Sequence, residues 1–262
     1  MDPREPTGKP VCPFVHVSIH PGDFMGAKTL TIDGKQISAS EGATVLQAAE
    51  EAQIQIPTLC HLEGVYDVGA CRLCLVEVAG VPKLLPACTT KVSEGMDVKT
   101  DSERLRNYRR MILELLLAER NHVCAVCVCN GQCELQSLAC AQGIDHVRYS
   151  YLFPRWEVDN THARYGMDHN RCILCTRCVR TCWHIEGAGT KNVAGRGAKS
   201  RIINDLNLPW GDSETCTACG KCVDACPTGA LFHKGATVSE MQHDRAKLEF
   251  IVTAREKKQW IV

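Results

Sequence analysis

Eighteen of the 262 residues are cysteines, and they fall in bunches rather than evenly along the chain. Cys172, Cys175, Cys178 and Cys182 are spaced C-x2-C-x2-C-x3-C, and Cys216, Cys219, Cys222 and Cys226 repeat that spacing and end in Pro227. Thiols at i, i+3 and i+6 wrap one corner of a compact inorganic cube, whereas zinc knuckles come as two well-separated pairs. Upstream, Cys60, Cys71, Cys74 and Cys88 read C-x10-C-x2-C-x13-C, three thiols early and one late. Between them lies a less regular set of His122, Cys124, Cys127, Cys129 and Cys133, with Cys140 further out. Thiols this tightly grouped, in a chain whose first residues carry no apolar export core, point to metal rather than to a disulfide framework.

Each set implies its own chemistry. Two C-x2-C-x2-C-x3-C runs are the signature of a pair of [4Fe–4S] clusters in which the fourth cysteine of each run ligates the other cluster. Cys172, Cys175, Cys178 and Cys226 are therefore expected at one cubane, and Cys216, Cys219, Cys222 and Cys182 at the second. Trp183 follows Cys182 where the bacterial run has Pro. The set from Cys60 to Cys88 has the layout of a [2Fe–2S] site, with a longer first gap than the plant-type spacing; a structural zinc site is the alternative. Cys124, Cys127 and Cys133 supply three ligands, and either His122 or Cys129 could complete a third cubane. Four sites need sixteen ligands; the regular spacings supply fifteen thiols and His122 the sixteenth, for roughly 14 irons in all. Cys12, Cys129 and Cys140 are then left over. Arg171, Arg177, Arg180 and Lys221 are interleaved with the thiols, either raising cluster potentials or lying as solvated surface charges.

The elements that must hold these residues can be read from pattern. Two short alternating runs at residues 29–32 and 35–38 flank Asp33-Gly34, a hairpin signal. Thr44 with Gln47 forms a capping box that opens a helix to about Gln53. Residues 75–78 and 96–99 read as strands, making a small α+β unit. Thr100 with Glu103 reads as a second capping box, opening a helix to about Glu119. Leu105, Tyr108, Ile112, Leu115 and Leu116 fall on one face of it, widened by Met111, Leu113 and Leu117. From there to Gly235 the sequence is too rich in Cys, Gly and polar residues to build a large hydrocarbon core, so metal must contribute folding energy. A helical tail from about Ser239 places Leu248, Ile251 and Val252 on one side.

Thirty basic and thirty acidic residues balance, which argues against nucleic acid as the main partner. No apolar run approaches the roughly 20 residues of a membrane span, so the chain reads as soluble and intracellular. Residues 195–200 lack the G-x-x-x-x-G-K spacing of a phosphate loop and read as a connector. No nucleophile, acid–base pair or open metal site stands apart from the cluster ligands, so the chain is expected to carry electrons without a substrate site of its own.

Several motifs carry a family resemblance: residues 56–62 (Ile-Pro-Thr-Leu-Cys-His-Leu), Cys71-Arg72-Leu73-Cys74, Asn121-His122-Val123-Cys124, residues 130–136, residues 168–175 and Pro209-Trp210-Gly211. Over residues 28–262 the chain resembles the N-terminal iron–sulfur region of the largest peripheral-arm subunit of respiratory complex I and of iron-only hydrogenases. More closely, it is similar to the small iron–sulfur subunit of the diaphorase module in NAD-reducing bidirectional nickel–iron hydrogenases, including in its stopping point. The resemblance implies an α+β architecture divided into an extension (1–27), a β-grasp [2Fe–2S] ferredoxin-like domain (28–100), a helix with a His/Cys3 [4Fe–4S] domain (101–165), a two-cluster [4Fe–4S] ferredoxin-like domain (166–235) and a helical tail (236–262). It further implies one [2Fe–2S] and three [4Fe–4S] clusters and a cytoplasmic hetero-oligomer with a flavin/NAD-binding diaphorase subunit and nickel–iron hydrogenase small and large subunits. Electrons would pass reversibly between H2 and NAD(P)+ through this chain. The related proteins place the histidine as His-x3-Cys, whereas this chain has His122-x-Cys124. A formate dehydrogenase or complex I relative would use the same wiring, and a zinc-stabilised interaction protein is the reading from another class.

Overall fold

The computed structural model of the chain describes residues 26–246 and 248. Cys12, the expected extension up to residue 25, and Ile251 and Val252 of the expected tail lie outside the described residues. The architecture is mixed helix and strand, as expected from the sequence.

Strands β1 (Ala27–Ile32) and β2 (Lys35–Ser40) pair antiparallel, with Ile32 opposite Lys35. Asp33 and Gly34 between them have φ of 50° and 80°, the left-handed pair that matches the twist of a two-residue hairpin. Helix α1 (Val45–Glu51) starts at Thr44, whose side chain accepts from the Gln47 amide while the Gln47 side chain accepts from the Thr44 amide at 2.8 Å. This satisfies two orphan donors reciprocally. Val45, Leu46, Ala48 and Ala49 of α1 pack with Leu30, Ile32, Val76 and Val98 into one apolar cluster. With β3 (Leu75–Val78), β4 (Val81–Pro86) and β5 (Met96–Lys99) the sheet runs in the order β2-β1-β5-β3-β4. The β1–β5 pair is parallel and the others antiparallel.

Helix α2 (Glu103–Glu119) departs from expectation at two points. Its N-cap is Ser102, accepting from the Leu105 amide at 3.2 Å, and not Thr100. Thr100 is taken instead by the carboxylate of Asp33, which accepts its amide at 2.8 Å and its hydroxyl. The buried face is Leu105, Arg109, Leu113, Glu114 and Ala118, while Tyr108 and Leu115 are exposed. Two polar side chains take the inward positions. Arg109 donates to the carbonyls of Leu73, Leu75 and Thr100 at 3.2, 3.0 and 2.7 Å, and Glu114 accepts from Arg110 at 2.9 Å and Arg148 at 2.8 Å. Since Leu73 and Leu75 flank Cys74, Arg109 ties the helix to the first cysteine loop.

Helix α3 (Glu134–Ala141) begins at Cys133. Leu135 on α3, Leu113 on α2 and Leu59 and Leu73 from the first cysteine loops form one apolar cluster, against which Cys71, Cys133 and Ile173 pack. Three of the four cysteine sets thus meet around a common core. In the remainder, β6 (Val158–Asp159), β7 (Tyr165–Asp168) and β10 (Leu231–His233) make an antiparallel sheet ordered β10-β7-β6. Each cysteine run leads into a short helix: α4 (Arg177–Arg180), continued by a π-helical turn at Thr181–Glu186, and α5 (Lys221–Asp224). The connector between the runs is a hairpin of β8 (Lys191–Ala194) and β9 (Arg201–Asn204), with residues 195–200 as its turn. Leu248 packs on the body beside Leu62, Ile185 and Ala225.

Candidate metal centres

The first set converges through its side chains. The Cys60 thiol lies in hydrogen-bonding contact with those of Cys71 and Cys88, and Cys74 Sγ is 3.4 Å from Cys88 Sγ. The Cys71 contact, then the Cys88 contact, lowers the proton affinity of Cys60, while the contact with Cys60, then burial, raises that of Cys71. The Leu59 amide donates to Cys71 Sγ at 3.4 Å, and Arg72, inside the C-x2-C loop, has φ of 58°.

The twin runs meet across each other. Cys172, Cys175 and Cys178 line a hollow together with Cys226. Cys216, Cys219 and Cys222 line another together with Cys182. In both runs the backbone turns left-handed to curl each loop: Leu174 and Thr176 have φ of 53° and 60°, and Ala218 and Gly220 have φ of 54° and 81°. For non-glycine residues such conformations cost about 1–3 kcal/mol each and persist where the surroundings impose them. Here they turn amides toward sulfur, since the Leu174 N–H donates to Cys172 Sγ at 3.4 Å and the Lys221 N–H to Cys219. The Trp210 indole N–H donates to Cys216 Sγ at 3.3 Å.

His122, Cys124, Cys127, Cys129 and Cys133 line a third hollow. His122 Nε2 is buried with no hydrogen-bond partner. Cys129, fully buried, has its Sγ 3.6 Å from His243 Nε2, and His243 Nδ1 is held at 3.1 Å by the Val223 carbonyl. Gly229 closes one wall, and a Cβ there would sit 2.7 Å from Cys127 Sγ. Cys140 is exposed and lies outside the lining of this hollow.

The donor chemistry fits iron–sulfur clusters. Among the described residues every cysteine is an unbridged thiol. The thiols of the second, third and fourth sets line hollows, while those of the first set lie in mutual contact. Burial pushes the unligated thiols up, Cys172 to about 11 and Cys175, Cys222 and Cys133 to about 12, so thiolate forms there only with a cationic partner. Finally, Arg109, Arg180 and Lys191 are buried without a carboxylate within 4.0 Å among the described residues. Burying a cation without a close ion-pair partner costs several kcal/mol, and an anionic thiolate-ligated core would offset part of that cost. All four interleaved cations are buried or ion-paired rather than solvated. Arg177 and Arg180 are only 4% and 1% exposed, which overturns the solvated-surface alternative for both. Arg171 and Lys221 are engaged by Asp168 and Glu186.

Two histidines beside these hollows set an acid limit. Burial, then Arg171 and Arg120, holds His122 down to about 4; burial, then Arg201, Arg120 and Lys191, holds His169 to about 4. Both stay neutral when folded and protonate when unfolded near 6.5. Their contribution is therefore complete above pH 6.5 and lost as pH falls from there through about 4. For His169 the loss is on the order of 3 kcal/mol. His61, raised mainly by its hydrogen bond to Asp67 at 2.8 Å, acts in the opposite sense, stabilising at low pH. Denaturant unfolding of His169→Asn across pH 4–7 should show a shallower acid limb than the parent; an identical slope would remove His169 as its source.

This arrangement defines an iron–sulfur protein in which [2Fe–2S]- and [4Fe–4S]-binding domains share one chain. Family models match accordingly: a 2Fe-2S iron-sulfur cluster binding domain over residues 27–103, the NADH-ubiquinone oxidoreductase-G iron-sulfur binding region over 109–148, and the ferredoxin-like domain of NADH-quinone oxidoreductase subunit 3 over 165–232. The chain is 34% identical over 207 residues to the NAD-reducing hydrogenase HoxS subunit gamma of Cupriavidus necator, covering 78% of this chain and 86% of that one. It belongs to that subunit's family. It is also 40% identical over 206 residues to the NADPH-Fe(3+) oxidoreductase subunit alpha of Geobacter sulfurreducens and 40% identical over 212 residues to the NADP-reducing hydrogenase subunit HndD of Solidesulfovibrio fructosivorans. Each match takes 79% of this chain but only 24% and 36% of those longer proteins. A crystal structure of an NAD+-reducing [NiFe]-hydrogenase in the H2-reduced state matches with a TM-score of 0.75 and 38% identity, over 80% of this chain and 88% of that one. Among the described residues no helix is long and apolar enough to cross a membrane.

Proposed function

We propose that this chain is the electron-relay subunit of a cytoplasmic hetero-oligomer, lying between a nickel–iron hydrogenase pair and a flavin subunit that handles NAD(P)(H). One [2Fe–2S] cluster is assigned to Cys60, Cys71, Cys74 and Cys88, in a β-grasp ferredoxin-like domain over residues 28–100. One [4Fe–4S] cluster is assigned to His122, Cys124, Cys127 and Cys133 within residues 101–165. Two more belong to Cys172, Cys175, Cys178 and Cys226, and to Cys182, Cys216, Cys219 and Cys222, within residues 166–235. Clusters held there supply one-electron chemistry.

The protein's part is to fix the ligands, bury them and exclude water. The observation that carries this reading is the exchange of Cys182 and Cys226 between the twin hollows. It is the ligand pattern of paired cubanes, and it sets two sites side by side within one fold. Thr228 extends the row, since it borders both the Cys226 hollow and the His122 hollow and donates to the Arg171 carbonyl at 2.8 Å.

The test is isolation of the intact complex with iron, sulfide, nickel and flavin measured together. Roughly 14 irons per copy of this chain are expected, accompanied by nickel and flavin. Flavin without nickel would reassign the chain to another NAD-linked complex, and zinc without labile sulfide would end the cluster reading. In the same complex Cys182→Ser should remove the signal of the cluster held by Cys216, Cys219 and Cys222. Loss confined to the cluster of Cys172, Cys175 and Cys178 would refute the crossed assignment.

A further inference from the structure

The hollow of Cys182, Cys216, Cys219 and Cys222 has a wall unlike the others. Lys191, at the start of β8, lines it and is 1% exposed. Its ammonium lies 3.3 Å from the centroid of the Trp210 ring and donates to Asn204 Oδ1 at 2.7 Å. Trp210 and Asn204 are each 1% exposed, and no carboxylate lies within 4.0 Å of the ammonium among the described residues. The other face of the arrangement points at sulfur, through the Trp210 indole N–H on Cys216 Sγ at 3.3 Å. Trp183, where the bacterial cysteine run has Pro, donates its indole N–H to the Lys191 carbonyl at 3.1 Å and so fixes the start of β8. A buried cation over an indole face is attracted by the ring's negative quadrupole and draws electron density from the N–H edge, making it a better donor to sulfur.

We propose that Lys191, acting directly and through Trp210, raises the reduction potential of the cluster bound by Cys182, Cys216, Cys219 and Cys222. The inference rests on the cluster assignment above and adds to it a residue that tunes this site's potential. The physical basis is the dependence of cluster potential on local charge and on hydrogen bonds to the sulfurs. A fixed positive charge stabilises the reduced, more negative state, and low surrounding polarity strengthens the effect.

The experiment is an EPR-monitored redox titration of the intact complex carrying Lys191→Met, Lys191→Arg, Asn204→Asp or Trp210→Phe, with iron and sulfide measured on each sample. Lys191→Met should lower the midpoint of this one cluster and leave that of the [2Fe–2S] site unmoved, while Lys191→Arg should retain the parental midpoint. Asn204→Asp keeps the lysine but neutralises its field, and should lower the same midpoint. Trp210→Phe keeps the ring and removes the N–H donor, and should give a smaller drop. Unchanged midpoints in Lys191→Met and Asn204→Asp, with clusters loaded, would overturn the proposal. Loss of this cluster from both would also overturn it, by making Lys191 a structural residue. If the parent complex itself lacked two cubanes' worth of iron and sulfide, the cluster assignment would fail instead.

Discussion

His122→Ala should strip one cubane from the protein, lowering iron by about four per chain, and leave the other three sites' EPR signals in place. The sequence offered His122 and Cys129 as rival fourth ligands, and the structure separates their circumstances. His122 Nε2 is buried and unpartnered on the wall of the hollow shared with Cys124, Cys127 and Cys133. A buried polar atom without a partner costs about 1–3 kcal/mol, a cost that a bond to iron would remove. Burial also keeps the imidazole neutral, its ligating form. Cys129 has a partner in His243, itself fixed by the Val223 carbonyl. Cys129→Ser should therefore keep all four signals. His122→Cys should keep the cluster but lower its potential, because a fourth thiolate adds negative charge. Loss of the signal in Cys129→Ser with retention in His122→Ala would reverse the assignment.

What the sequence made legible is whatever was encoded locally. The Asp33-Gly34 turn, the Thr44–Gln47 cap and the strands at Leu75 and Met96 each rest on a few adjacent residues, and all are found. The twin cysteine runs were equally readable, because the spacing of a cluster motif is itself a local constraint. Strand β4 was missed because Pro82 and Pro86 argue against a strand; its place at the sheet edge removes the objection, since an edge needs fewer backbone donors. Thr100 was misread as a cap because its true partner, Asp33, is remote in sequence. The apolar stripe on α2 pointed to Tyr108 and Leu115, but Arg109 and Glu114 occupy the inward face because each satisfies buried groups there. In the site, neither His243 nor Lys191 carries a local signal. Trp183 in place of Pro was the visible trace of the second.

Arg180→Met should undock the first cysteine domain from the twin-run region. Arg180, on α4, donates to the Tyr66 carbonyl at 2.7 Å, to the Cys175 carbonyl at 3.2 Å and to the Cys60 carbonyl. One guanidinium thus spans the backbone of a cysteine from the first set and a cysteine from the third. The Tyr66 ring lies 6.0 Å from its centre, and His184 stacks edge-on against that ring at 4.9 Å. Methionine approximates the stem of arginine but leaves three carbonyls without this donor. At about 1–3 kcal/mol for each unsatisfied group, the loss is a large part of the 5–15 kcal/mol that holds a typical domain folded. Denaturant unfolding of the variant should resolve into two transitions where the parent shows a coupled one. The magnetic interaction between the clusters of the first and third sites should weaken, while total iron changes little. Lysine restores one point donor but not a planar fork, so Arg180→Lys should fall between the two. A single transition at the parental midpoint, with the interaction intact in Arg180→Met, would mean that the shared core of Leu59, Leu73, Leu113 and Leu135 suffices to hold the sites together.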